Sequence, residues 1–323
     1  MSFMIRVQGL TKQYDNILAV DHINLEVVEG EIFGLLGPNG AGKTTTIRML
    51  TGQIAPTSGT AAIANHDIIS DSTKAKQQIG VVPDISNVYE EMSAWDNLIF
   101  AAKLYSVPRT EQEKRAKEFL ELFGLFERRK DRVAGFSRGM KRRLTIATAL
   151  IHKPKLLFLD EPTTGLDVQS LRMIRTLIKK LNKDGVTIFL TTHYIEEADQ
   201  LCQRIAIINK GKIVTVDNPE KLKAATEKRQ VIEVSFSTSG DLEEKLKNIS
   251  CVSEISIQGD KCRLQIDDAS QAVPALVDFA RKNNLRIISI NTLKPSLEDA
   301  FAKLTGLSSE VMTTEKESIK KEV

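Results

Sequence analysis

From Met1 to about Ala225, short apolar runs alternate with amphipathic stretches, which predicts an α/β domain with strands buried on both faces. "EIFGLLG" (Glu31–Gly37) is written as a strand, and "KTTTIRMLTG" after it as a helix. "LLFL" (Leu156–Leu159) is a continuous apolar run that ends in Asp160-Glu161, and "GVTIFLTTH" reads as an apolar strand that ends in the polar His193. Upstream of both, Met140, Leu144, Ala147 and Ile151 recur at helical spacing until Pro154, so a helix is expected with Ser137 as its N-cap. "KAATEKR" (Lys223–Arg229) is polar and reads as a linker. The segments that follow it predict strand, helix, strand, strand, helix, strand, a ferredoxin-like order of small α+β type over 229–306. "SLEDAFAKLTG" closes that domain as a short helix capped by Ser296, with Gly306 just past its end. The final stretch, 307–323, is charged and poor in core residues, and disorder or a loose helix is expected there.

Composition changes this picture little. The chain is 41% hydrophobic and 27% charged with a net charge of +3, a balance that argues neither for nor against nucleic acid. Cys202, Cys251 and Cys262 are far apart with no ligand spacing, which fits reduced thiols better than a disulfide framework or a zinc site. "MSFMIRVQGL" has no apolar core of a secretory signal, and no apolar run approaches ~18 residues. Any work at a membrane is therefore expected to need a partner that supplies the spans.

Chemistry enters at "GPNGAGKTT", where Gly37, Gly42, Lys43 and Thr44 satisfy the P-loop pattern between a predicted strand and helix. Gly40 and Gly42 let the backbone approach phosphate closely, and successive amides form an anion nest. Lys43 is placed to reach the terminal phosphates, and the Thr44 hydroxyl suits Mg²⁺. Asp160 and Glu161 fall at the carboxyl end of a sheet strand, where open α/β sheets bind ligands. Asp160 is placed to hold Mg²⁺ through its water shell and Glu161 to polarise an attacking water, with His193 on the same sheet edge.

Together these motifs resemble the ATP-binding cassette (ABC) ATPases, over roughly Ile5 to Ala225. "GPNGAGKTT" (Gly37, Pro38, Asn39, Gly40, Ala41, Gly42, Lys43, Thr44, Thr45) resembles Walker A and "LLFLDEP" Walker B. "TTGLD", with Asp167, resembles the D-loop, His193 the switch histidine, and Tyr14 the aromatic residue that stacks on adenine. "FSRGM" stands at the signature motif and keeps Ser137 and Gly139, with Phe136, Arg138 and Met140 departing from the family pattern. Arg138 sits where the family prefers glycine, its side chain either pointing outward or adding charge to a partner's γ-phosphate. The strand "IGVVPD" puts Asp84 where the family usually places glutamine, and a water-bridged contact to Mg²⁺ is expected there.

The resemblance implies a P-loop cassette over 1–225: a mixed sheet core, an antiparallel β subdomain and a helical subdomain starting near Asp84. It implies ATP and Mg²⁺, and a homodimer in which Walker A of one subunit and Ser137 and Gly139 of the other enclose each nucleotide. Integral membrane permease subunits would be the partners, at the cytoplasmic face of a bacterial or archaeal membrane. "SRGM", "VVPD" and "SLEDAFAKLTG" look like drug-resistance exporter ATPases, ahead of importer ATPases that also append a small regulatory domain. Nucleic acid is not expected. Arg128, Arg129, Lys130 and Arg132, then Lys141, Arg142 and Arg143, read as solvated surface charge on a largely exposed helix face, and "KCRLQID" lacks stacking aromatics.

Overall fold

A computed structural model describes residues 2–224, 230–237, 246, 249, 251–258, 261–266, 268–293 and 296–307. Most of the expected linker, nearly all of the helix expected over "DLEEKLKNI", and all but the first residue of the 307–323 tail lie outside them. The chain separates into two units, Met1–Pro219 and Glu220–Leu307.

In the larger unit the continuous apolar runs become central strands. β3 (Ile32–Leu36), β7 (Leu156–Asp160) and β8 (Thr187–Thr192) are buried at every position, as strands covered on both faces must be. With β6 (Ile79–Val82), β9 (Arg204–Asn209) and β10 (Lys212–Asp217) they form a six-stranded sheet in the order β10-β9-β3-β8-β7-β6. Neighbours pair in parallel except β9 and β10, so the sheet is mixed. A second, antiparallel sheet, β2-β1-β4-β5, is built from β1 (Phe3–Tyr14), β2 (Ile17–Val28), β4 (Ser58–Ile63) and β5 (His66–Asp67). Phe33, Phe189 and Phe158 stand side by side on β3, β8 and β7, with ring centroids 5.6 and 5.4 Å apart. They share one core with Val7 and Val27 of the antiparallel sheet and with Ile47, Met49 and Leu50 of α1 (Lys43–Leu50).

Register places the chemistry. Leu36 is opposite Thr192, Asp160 opposite Thr191, and Val82 opposite Leu159. The segments leaving β3, β6, β7 and β8 therefore emerge on one edge of the sheet, and they carry Gly37–Lys43, Asp84, Glu161 and His193. A helical layer follows β6: α2 (Ser72–Gln77) precedes that strand, and α3 (Ala94–Leu104), α4 (Arg109–Leu122) and α5 (Arg138–Leu150) come after it. α6 (Val168–Lys183) and α7 (Ile195–Leu201) follow, and α8 (Pro219–Ala224) runs across the unit boundary, with Lys223 and Ala224 inside it and not in a linker.

In the smaller unit β11 (Gln230–Phe236), β12 (Val252–Gln258), β13 (Lys261–Ile266) and β14 (Ile287–Leu293) pair antiparallel in the order β12-β13-β11-β14. That is the ferredoxin-like strand order. α9 (Ala269–Lys282) buries Ala272, Leu276 and Ala280 in the same core as Ile232, Val234 and Leu264. α10 (Leu297–Thr305) begins with a capping box between Ser296 and Asp299 and ends at Gly306 in the left-handed region, as the sequence predicts.

Candidate nucleotide site and its family

Gly42 opens α1 with φ at 105° and no side-chain cap, so the first amides of the helix face the loop. A Cβ on Gly42 would lie 2.6 Å from the Ala19 carbonyl oxygen, and one on Gly37 only 2.3 Å from that of Ile208. Glycine is a packing requirement at both positions, and at Gly42, with its positive φ, a conformational one as well. The Lys43 ammonium is 6% exposed; it donates to the Gly37 (2.8 Å) and Pro38 (3.1 Å) carbonyls and lies 3.3 Å from Glu161 Oε1.

Across the cleft the end of β7 turns sharply. Glu161 has φ +48°, a left-handed backbone that costs an ordinary residue of order 1–3 kcal/mol. Its N–H is shared between the Thr191 carbonyl and hydroxyl oxygens, each at 3.2 Å. Glu161 Oε2 accepts from His193 Nδ1 at 2.7 Å and from the Thr164 hydroxyl at 3.1 Å. Burial alone would raise this carboxyl. The His193 hydrogen bond and the Lys43 charge outweigh it and hold Glu161 below the ordinary glutamate range, and therefore ionised at neutral pH. With the carboxylate ionised, His193 carries its proton on Nδ1, and the ring is 4% exposed. Asp160 Oδ1 accepts from the Thr191 hydroxyl at 2.5 Å and lies 3.4 Å from Thr44 Oγ1.

Asn39, Gly40, Gly42, Lys43, Thr44, Thr45, Asp84, Glu161 and His193 line one cavity of about 250 Å³, which Ala19 and Thr164 also line. Sequence reasoning missed Ala19, Thr164 and Thr191. A lone alanine and two threonines carry no local signal, and only the fold puts them here. Asp160 lies just behind this lining, bonded to Thr44. Tyr14 is outside it, at the end of β1, 42% exposed, with Lys12 Nζ 5.1 Å from its ring centroid.

Ser137, Gly139 and Asp167 do not line this cavity; they form a second cluster. Ser137 caps α5, its hydroxyl accepting from the Met140 N–H at 3.3 Å, as the sequence predicts. Asp167 caps α6, bonding the Ser170 N–H at 2.8 Å and hydroxyl at 2.7 Å, and these bonds lower its carboxyl. Gly139 leaves room for that same Ser170, whose Oγ would be 2.3 Å from a Cβ. Arg138 does not point free into solvent: its Nη1 donates to the Gly165 carbonyl at 2.9 Å, tying the start of α5 to the loop before α6.

The expected solvated charge holds at Arg128, Lys130 and Arg132, which are exposed, and is corrected at Arg142. Arg142 is 4% exposed, and its guanidinium donates to five backbone carbonyls. Arg143 bonds the Phe123 carbonyl at 2.7 Å, Lys141 pairs with Glu90 at 2.5 Å, and Arg129 stacks over Phe126 at 4.2 Å. Local periodicity placed these charges outside because it registers their polarity and not the carbonyls that distant segments bring to them.

A P-loop feeding a helix, paired carboxylates and a histidine on one sheet edge, and an antiparallel β layer beside a helical one define an ATP-binding cassette. Residues 20–164 match the ABC transporter family, and residues 218–305 match the C-terminal domain of ATP-binding proteins of the DrrA1-3 type. The linearmycin resistance ATP-binding protein LnrL of Bacillus subtilis is 37% identical over 94% of this chain and 98% of its own. The Nod factor export ATP-binding protein I of Cupriavidus metallidurans is 36% identical over 95% of this chain and 98% of its own. Among solved structures, the dimeric post-hydrolysis state of the cassette MJ0796 with ADP and Pi superposes with a TM-score of 0.61 at 29% identity, covering 67% of this chain and 98% of that one. This chain belongs to the ABC transporter ATP-binding proteins, ABC-type ATPases with a DrrA1-3-like C-terminal domain.

Proposed function

We propose that this chain is the ATP-hydrolysing subunit of an exporter, working as a homodimer on the cytoplasmic face of a membrane with separate permease subunits. The observation that carries the reading is that one chain holds two distinct half-sites. One is the cleft of Lys43, Asp160, Glu161 and His193; the other is the Ser137–Gly139 and Asp167 cluster outside it. Two copies facing each other complete two composite sites, a closed two-fold arrangement. The relatives named for resistance and for export, and the DrrA1-3-like domain at 218–305, support the exporter reading over the importer one.

In each composite site the Gly37–Thr45 loop cradles the phosphates, and Lys43 leaves the loop carbonyls for the terminal phosphates. Glu161 orients and deprotonates the attacking water, and His193 holds Glu161 through Nδ1. Tyr14, at the end of β1, is the surface on which adenine stacks. Thr44 and Asp160 fit Mg²⁺: both are hard oxygen donors, 3.4 Å apart beside Lys43, and Asp84 lines the same cavity for a water-bridged contact. Among the described residues no group of three or more His, Cys, Asp or Glu side chains could hold a metal, which suits an ion that takes its other ligands from phosphate and water. Mg²⁺ would neutralise charge that develops on the phosphates.

None of the described helices is long and apolar enough to cross a membrane, and in this reading the permease subunits supply the spans. Exposed Tyr89, Phe100, Leu104 and Tyr105 line one cavity of about 130 Å³ on the helical layer, an apolar patch of the kind that marks interaction sites. We assign the permease contact to that patch. Co-purification from membranes tests the whole reading. A co-purifying integral membrane subunit, cross-linking to Cys introduced at Leu104, is the expected result; recovery of the chain only with nucleic acid or an import receptor would sink it.

A further inference from the structure

The buried guanidinium of Arg142 belongs to α5, the helix that Ser137 opens, yet it bonds only to segments leaving other strands. It donates to the Pro83 and Asp84 carbonyls beyond β6, the latter at 3.1 Å. It donates to Asp160, Glu161 and Pro162 at the end of β7, at 2.7, 3.0 and 3.0 Å. In an extended strand successive carbonyls point to opposite sides. Three consecutive ones reach a single guanidinium here because Glu161 is turned into the left-handed region at φ +48°. A cation this buried is poor value for stability alone, since well-packed apolar side chains commonly serve as well.

We propose that Arg142 is a positioning residue for ATP hydrolysis: it fixes the backbone that carries Glu161 and the loop that carries Asp84, and ties both to the Ser137 helix. Through this post, displacement of α5 by a partner's nucleotide moves the water-activating carboxylate of its own chain. Lysine cannot replace it, because a compact three-donor ammonium cannot span five acceptors on two segments as a planar five-donor fork does. The inference rests on the proposed role of Glu161.

The test uses the purified full chain as wild type, Arg142→Gln, Arg142→Lys and Glu161→Gln, with steady-state ATPase kinetics beside fluorescent-ATP titration. Both Arg142 variants are expected to lose at least ~10-fold in kcat while nucleotide affinity stays within ~3-fold, the signature of lost transition-state geometry. A folded Arg142→Gln within about twofold of wild-type kcat overturns the proposal. So does an affinity that falls in step with kcat, or failure of both variants to fold, because each marks a purely structural post. If Arg142→Gln alone does not fold, Arg142→Lys carries the same comparison. Wild-type turnover by Glu161→Gln would sink the Glu161 assignment separately, whatever the Arg142 variants do.

Discussion

Five residues hold Glu161: Lys43 and His193 by charge and hydrogen bond, Thr164 by its hydroxyl, Thr191 at its N–H and Arg142 at its carbonyl. Glu161→Gln keeps the shape and removes the proposed base, so turnover should fall ~10²–10⁴-fold while ATP still binds. Nucleotide titration beside an ATPase assay checks both halves. Lys43→Ala should abolish nucleotide binding, and calorimetry showing unchanged ATP affinity would count against the whole site. Because the folded Glu161 carboxyl lies below its unfolded value, its ion pairing stabilises the fold fully above about pH 4.3 and is lost as pH falls through the lower folded value. Thermal melts across that window should show a steeper acid loss in the wild type than in Glu161→Gln. The carboxylates and His193 were legible because each lies at the end of a segment that reads as an apolar strand. Arg142 was not, since a basic residue on a helix reads the same whether water or carbonyls surround it.

At the scale of the element, caps and glycines were readable and their partners were not. Ser137 was identifiable as a cap from the helical spacing behind it, and Ser137→Ala should cost about 0.5–2 kcal/mol in equilibrium unfolding. Gly37 was identifiable from its motif, but its contact with the Ile208 backbone comes from β9, far along the chain. Gly37→Ala should therefore destabilise the larger unit by about 1–3 kcal/mol, as overpacking does, and weaken nucleotide binding with it. Denaturant titration with and without ATP separates the two effects. Gly139 shows the same limit. The sequence suggested room for phosphate, and the structure adds that Ser170 of α6 already stands close against it.

For the whole molecule, one chain carries one P-loop cleft and one Ser137 cluster, so activity should complement between defective copies. Mixing Lys43→Ala with Ser137→Ala subunits leaves one composite site intact in each mixed dimer. ATPase activity above that of either variant alone is expected, and no gain on mixing would count against shared sites. The smaller unit was legible in its order of strands and helices, because its apolar segments are short and separated by polar turns.

The sequence by itself determined the class of protein, the strands that carry the proposed site residues, the P-loop and the helix caps. All of these are local: a period, a motif or a residue at an element's end fixes them through backbone geometry and nearest neighbours. Tertiary structure alone decided which side chains meet. It gathered Ala19 and Thr164 into the Lys43 cavity, turned Arg138 onto Gly165, and drew Arg142 inward to five carbonyls. The physical reason is strand register: parallel pairing brings the ends of β3, β6, β7 and β8 to one edge, and residues far apart in sequence become hydrogen-bond partners there.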